Sequence, residues 1–157
     1  MSVESLRDRL GTLNADYARA IDDDRLEDWP AFFEDPCLYK ITSADNHAQG
    51  MPAGLVYADS RGMLVDRVAA LREANIYERQ RYRHIVGLPC VLGEDGGVAR
   101  VETPFLVMRI MRDGTMDAFA CGRYLDKVRS APGAMKFLER VVVCDSARVD
   151  TLIAIPL

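Results

Sequence analysis

The residues best suited to metal or redox chemistry in this chain are two histidines and four cysteines, and their spacing argues against both uses. His47 and His84 lie far apart, with no H-x-x-x-H pair that would put two imidazoles on one helical face. Cys37, Cys90, Cys121 and Cys144 are widely separated in apolar, strand-like surroundings and form no Cys-x-x-Cys. They are expected to be reduced and buried as small hydrophobes. The acidic run Asp22-Asp23-Asp24 invites a cation site, but three consecutive side chains of a helical turn cannot converge on one ion. A solvated turn whose carboxylates favour the next helix N-terminus accounts for it.

Acid–base chemistry has two candidate locations. Asp45-Asn46-His47 sets a carboxyl beside an imidazole, although adjacency in sequence seldom brings both onto one substrate. That loop reads either as a partner contact or as a pocket wall. Arg79, Arg81, Tyr82, Arg83 and His84 form the most charged aromatic segment. Arginine with tyrosine can stack on nucleic acid, but the net charge of -4 and dispersed Lys and Arg point elsewhere. A protein interface suits the same residues better, since Arg and Tyr are enriched there. His84 reads as a hydrogen-bonded core imidazole or as a pocket base.

These residues must be positioned by helices in the first half and strands in the second. Leu6, Leu10, Leu13, Tyr17 and Ile21 recur at spacings of three or four, which predicts a helix over residues 4–21. Asp24 and Glu27 have capping-box spacing before Leu26, Trp29, Phe32 and Phe33, and Pro30 predicts a kink or two short turns. A first strand is expected over 37–42, a polar loop over 43–50, a short strand over 53–57, and a helix from Asp59 or Ser60 to about residue 75. Four long runs rich in Val, Ile, Phe, Tyr and Leu follow, at 83–92, 98–112, 115–129 and 134–144. Short Gly, Asp, Ser or Pro breaks separate them, which describes an antiparallel meander with Asp113-Gly114 as its clearest hairpin. Pro104 implies an edge or a bulge. Both faces of the 98–112 strand are apolar, so the sheet needs two covers. The apolar tail 151–157 must be paired or buried, between subunits if not within one.

At 157 residues one domain is expected. No apolar run approaches bilayer length and residues 1–4 lack the features of a signal peptide, so the expected compartment is the cytoplasm.

Several segments, in order, resemble those of one family. They are Trp29-Pro30-Ala31-Phe32-Phe33, Cys37-Leu38-Tyr39-Lys40-Ile41-Thr42, Asp45-Asn46, Glu78 and Arg81-Tyr82-Arg83-His84-Ile85-Val86. Thr103-Pro104-Phe105-Leu106-Val107, Gly122-Arg123-Tyr124-Leu125-Asp126, Glu139-Arg140-Val141-Val142 and Asp150-Thr151-Leu152 continue the series. The chain is similar over nearly its whole length to the small (beta) subunits of aromatic-ring-hydroxylating dioxygenases.

The resemblance implies an α+β, cone-shaped fold of the nuclear transport factor 2-like (cystatin-like) kind, with N-terminal helices on a long, curved, mostly antiparallel sheet. It implies a non-catalytic subunit supporting assembly and stability of an α3β3 terminal oxygenase. That enzyme cis-dihydroxylates an aromatic carboxylate such as terephthalate with O2 and NAD(P)H delivered through a reductase. The Rieske [2Fe-2S] cluster and the mononuclear non-haem Fe(II) are then expected in the large (alpha) subunit, and none in this chain. The interface residues expected here are Asp45, Asn46, His47, Arg79, Arg81, Tyr82 and Arg83. Two alternatives are a stand-alone dehydratase or isomerase using His84, Tyr17, Tyr39 or Asp45 inside the cone, and a ligand-binding module. An open pocket with His84 in reach of a carboxylate would favour the former; a cone filled by Trp29, Phe33, Phe105 and Phe119 would exclude it.

Overall fold

The computed structural model describes residues 4–52, 54–74, 80–130, 133–145 and 155–157. Helix α1 (Leu6–Asp22) starts where Ser5 accepts a hydrogen bond from the Asp8 N–H at 3.1 Å, and it buries Leu10, Leu13, Tyr17 and Ile21 as the spacing predicts. A 3-10 helix (Leu26–Phe32) follows, a tight form that tolerates Pro30. The capping box expected at Asp24 and Glu27 does not form. Asp24 adopts a left-handed backbone (φ 59°), and both carboxylates turn to Arg72 of a later helix, at 2.9 and 2.8 Å.

Strand β1 (Phe33–Ser43) is longer than expected, and the polar loop after it contains a short helix, α2 (Ala44–Ala48). Strand β2 (Val56–Ala58) and helix α3 (Arg61–Ala74) complete the first half. The Ser60 hydroxyl caps α3 by accepting from the Met63 N–H at 3.2 Å. Strands β3 (Gln80–Val86), β4 (Cys90–Asp95), β5 (Val98–Met111), β6 (Met116–Arg129) and β7 (Lys136–Cys144) form the meander. One seven-stranded sheet results, in the order β2-β1-β7-β6-β5-β3 with β4 also on β5. All neighbours are antiparallel except β1 and β7.

Residues 83–92 are not one strand. The chain leaves the sheet after Val86 and returns at Cys90. The Gly87 N–H bonds the Pro104 carbonyl at 2.9 Å, and Pro104 sits between the β3 and β4 pairings. The proline is therefore neither on an edge strand nor at a bulge: its missing N–H faces the gap between β3 and β4, where no donor is needed. Gly122 lies so close to β7 that an added Cβ would run into the Val143 carbonyl, which excludes any side chain.

Alternation along the strands gives the sheet an inner face of Val101, Thr103, Phe105, Val107, Tyr124, Val128, Phe137 and Val142, buried with the helices and with Trp29, Phe33 and Tyr39. On the opposite face Leu106, Leu125 and Val141 are half-buried and Ile85 is exposed. Cys37 and Cys144 are buried, whereas Cys90 and Cys121 are exposed, against expectation. Cys121 lies between inward-facing Ala120 and Gly122 and so points outward. Of the tail, Ile155 and Leu157 are buried within this chain's own core, and residues 151–154 lie outside those described. No helix among the described residues is long and apolar enough to cross a membrane.

Candidate functional site

The interior of the cone is where a site would be sought, and its centre is a salt bridge. Asp126 on β6 and Arg140 on β7 are register partners on the inner face. Arg140 donates from Nε and Nη2 to the two Asp126 carboxylate oxygens at 2.9 and 2.8 Å. Nη2 also reaches Asn14 Oδ1 of α1 at 2.5 Å, and Asn14 donates to the Thr103 hydroxyl at 3.4 Å. The guanidinium carbon lies 3.8, 4.0 and 4.4 Å from the ring centres of Tyr124, Phe137 and Tyr17. Both charged side chains are shut off from solvent, at 0% and 1% exposure. Burial pushes the Asp126 carboxyl above the usual range, opposed by the Arg140 charge and hydrogen bonds. This cation is consumed by its own protein and offers no open side to a substrate.

A second polar cluster occupies the other part of the core. The Trp29 indole N–H donates to the Tyr17 hydroxyl at 3.1 Å. Tyr17 and Tyr39 donate in turn to the main-chain oxygen of Leu157 at 2.8 and 3.0 Å, and the Leu157 N–H bonds the Tyr39 hydroxyl at 3.0 Å. Burial raises both phenols above their ordinary pKa. Tyr17 and Tyr39, the acid–base candidates of the stand-alone enzyme reading, are thus tied to the chain's own groups. Trp29 and Phe33 are 0% exposed and Phe105 is 3% exposed, so aromatic rings fill the space. Phe119 is only partly buried and lies against Tyr82, under the Arg109 guanidinium.

His84 lies on the same inner face, sealed by α1. Its Nδ1 is 2.7 Å from Asp22 Oδ1, and its main-chain N–H donates to Asp22 Oδ2 at 2.8 Å. The imidazole is in reach of a carboxylate, but the two side chains are 0% and 3% exposed, and Nε2 is buried without a partner. This is the core imidazole, not a base open to solvent. The acidic run is thereby explained one residue at a time: Asp22 takes His84, Asp23 lies 3.6 Å from Arg25, and Asp24 takes Arg72. Among the described residues no three His, Cys, Asp or Glu side chains converge as metal ligands.

The residues expected at an interface fall in two places. Asp45, Asn46 and His47 form α2, which rests on β1 and β7. Asp45 and Asn46 are exposed, and the Asn46 N–H is capped by the Ser43 hydroxyl at 3.2 Å. Arg81, Tyr82 and Arg83 lie on β3, with β5 and β6 between them and β7. Arg81 and Arg83 are exposed, but Tyr82 is not a surface residue: strand alternation turns its ring inward to 3% exposure, 5.2 Å from Phe119. Arg79 lies outside the described residues. An open groove is lined by Asp22, Asp24, Arg81, Tyr82, Arg83 and Met111 at the end of α1.

Sequence reasoning missed Asn14, Thr103, Asp126 and Arg140 as a set. A signal existed in Asp126, which shares the two-residue period of inward-facing Tyr124 and Val128. Arg140 reaches the inner face only because the register shifts between Phe137 and Glu139, and no local pattern announces that shift.

Residues 16–151 match the family described as ring hydroxylating beta subunit. The chain is similar to the terephthalate 1,2-dioxygenase terminal oxygenase component subunit beta 1 of Comamonas sp, at 52% identity over 149 residues, 95% of this chain and 97% of the relative. It is 35% identical over 141 residues to the anthranilate 1,2-dioxygenase small subunit of Burkholderia cepacia, covering 90% and 88% of the two chains. Among solved structures it is similar to a beta subunit assigned to an aromatic-ring-hydroxylating dioxygenase of Novosphingobium aromaticivorans, with a TM-score of 0.89, 36% identity and 96% of each chain covered. The fold is also that of a chain in a naphthalene 1,2-dioxygenase structure, with a TM-score of 0.73 at 16% identity over 100% of this chain and 88% of the other.

Proposed function

Because this chain belongs to the ring-hydroxylating beta-subunit family, we propose that it is the non-catalytic small subunit of the terminal oxygenase of an aromatic-ring dioxygenase acting on terephthalate or a related aromatic carboxylate. The observation that carries this reading is the interior. Arg140, Asp126, Tyr17, Tyr39 and His84, the groups with the right chemistry for a cone-type enzyme, are paired with one another or with the chain itself. What the fold leaves open is surface, including the half-buried apolar residues Leu106, Leu125 and Val141 on the sheet face away from α1. A subunit that docks has use for such a face.

The large subunit then holds the Rieske cluster and the mononuclear iron, three copies of each subunit assemble as α3β3, and a reductase passes electrons from NAD(P)H in the cytoplasm. The residues of this chain do not fit either centre. It has two histidines, one of which is committed to Asp22, while a Rieske cluster and a two-His-one-carboxylate iron need four between them. Docking is assigned to Arg81 and Arg83 on β3, with Arg79 preceding them, and to the α2 segment Asp45, Asn46 and His47. Tyr82 contributes from inside by holding β3 on the core.

Co-expression with the cognate large subunit tests the reading. The expected result is a stoichiometric complex in which the large subunit is active and long-lived. A large subunit with full turnover and unchanged complex-scale stability in the absence of this chain would overturn it.

A further inference from the structure

Strand β3 pairs with β5 on one side only, so its other side is a free sheet edge among the described strands. The Gly87 N–H bonds Pro104 on β5, so by alternation Tyr82, His84 and Val86 turn their main-chain groups toward that free edge. The Asp22 carboxylate at the end of α1 meets the edge there. One oxygen accepts the His84 main-chain N–H at 2.8 Å and the other lies 2.7 Å from the ring Nδ1. A single carboxylate thus holds both the backbone and the side chain of one strand residue, in a place from which water is shut out. Holding His84 and Tyr82 inward forces Arg81 and Arg83 outward, because successive side chains of a strand take opposite faces.

We propose that Asp22 and His84 are a positioning pair that fixes the free edge of β3 and so presents Arg81 and Arg83 in docking geometry to the large subunit. The proposal rests on the subunit reading above and adds a residue pair that touches no partner itself. The main-chain bond to one Asp22 oxygen and the Nδ1 contact to the other make the pair a clamp that acts through geometry. An asparagine side chain places an amide nitrogen near the position of Nδ1; a leucine fills the space without a donor.

The test is the affinity of the full-length chain for its large subunit, with hydrogen exchange at the β3 amides and the melting temperature of the free chain. His84→Leu and Asp22→Ala are each expected to weaken association by about tenfold or more and to speed β3 exchange. The double variant should be no weaker than either single one, and His84→Asn should bind within about threefold of the parent. If His84→Leu does not fold, Asp22→Ala carries the same two measurements. Parent-like binding by a folded pair variant whose β3 amides exchange faster overturns the proposal, as does His84→Asn binding no better than His84→Leu. Failure of the parent chain to bind the large subunit overturns the subunit reading instead. A parent complex indifferent to Arg81→Ala with Arg83→Ala overturns the docking surface. A complex sensitive to those two but not to the pair variants overturns the pair alone.

Discussion

Arg140 and Asp126 face each other across the β6–β7 register with two parallel hydrogen bonds of 2.9 and 2.8 Å, and neither side chain reaches solvent. Removing one partner leaves the other charge buried and unpaired. Asp126→Leu is expected to lower unfolding free energy by about 3–5 kcal/mol, read from urea denaturation. Adding Arg140→Met should restore part of that loss, because the stranded cation is gone. Additive losses would show that the pair is not a unit.

The buried tyrosines predict an alkaline transition. Burial raises the pKa of Tyr17, Tyr39, Tyr82 and Tyr124. The folded state therefore holds these protons more tightly than the unfolded chain. Stability from this source is complete below a pH of about 10 and is lost as pH rises toward the folded values. Phenolate absorbance from the four should rise together with loss of circular dichroism; full ionisation with native dichroism would contradict their burial.

Trp29 is the chain's single tryptophan, wholly buried with its ring centre 5.0 Å from that of Tyr39. Trp29→Ala should cost about 3–5 kcal/mol through the cavity it leaves. Tyr17→Phe strands the indole N–H and one bond to Leu157, at about 1–3 kcal/mol, with a shift in tryptophan emission as the second readout.

Arg72 grips Asp24 and Glu27, and its hydrogen bonds lower the Glu27 pKa from an ordinary 4.5. Since both carboxylates are exposed, Arg72→Ala should cost less than about 1 kcal/mol and its effect should shrink with salt. The contribution is present above the ordinary carboxylate pKa and fades as pH falls through the folded value. Urea midpoints at two ionic strengths and two pH values check both signs.

The two docking segments should act independently. Arg81→Ala with Arg83→Ala, and Asp45→Ala with Asn46→Ala and His47→Ala, are each expected to weaken assembly with the large subunit and leave the melting temperature of the free chain within a few degrees. Two strands separate β3 from the strands beneath α2, so the combined variant should show roughly additive losses. Sedimentation of the mixed subunits reads this directly, and no change in either set would discard the assignment.

Local patterns made much of this protein legible. Leu10, Leu13, Tyr17 and Ile21 mark the buried face of α1 because a helix repeats every 3.6 residues, and Asp113-Gly114 marks the β5–β6 turn, where Gly114 has φ 89°. The order of segments along the chain also carried the family, and with it the cone. Three things depended on contacts between distant residues. A register shift near Leu138 put Arg140 inside against Asp126. The Asp run was divided among Arg25, Arg72 and His84, up to 62 residues away. The break after Val86 separated β3 from β4, and packing against Phe119 fixed Tyr82 on the inner face. A strand's alternation is visible in its residues, but which phase faces the helices is set by pairing and bulges, so the chain alone determined most of the elements and their family, while packing across the sheet decided where a run breaks, which polar groups are sealed in and which remain to meet a partner.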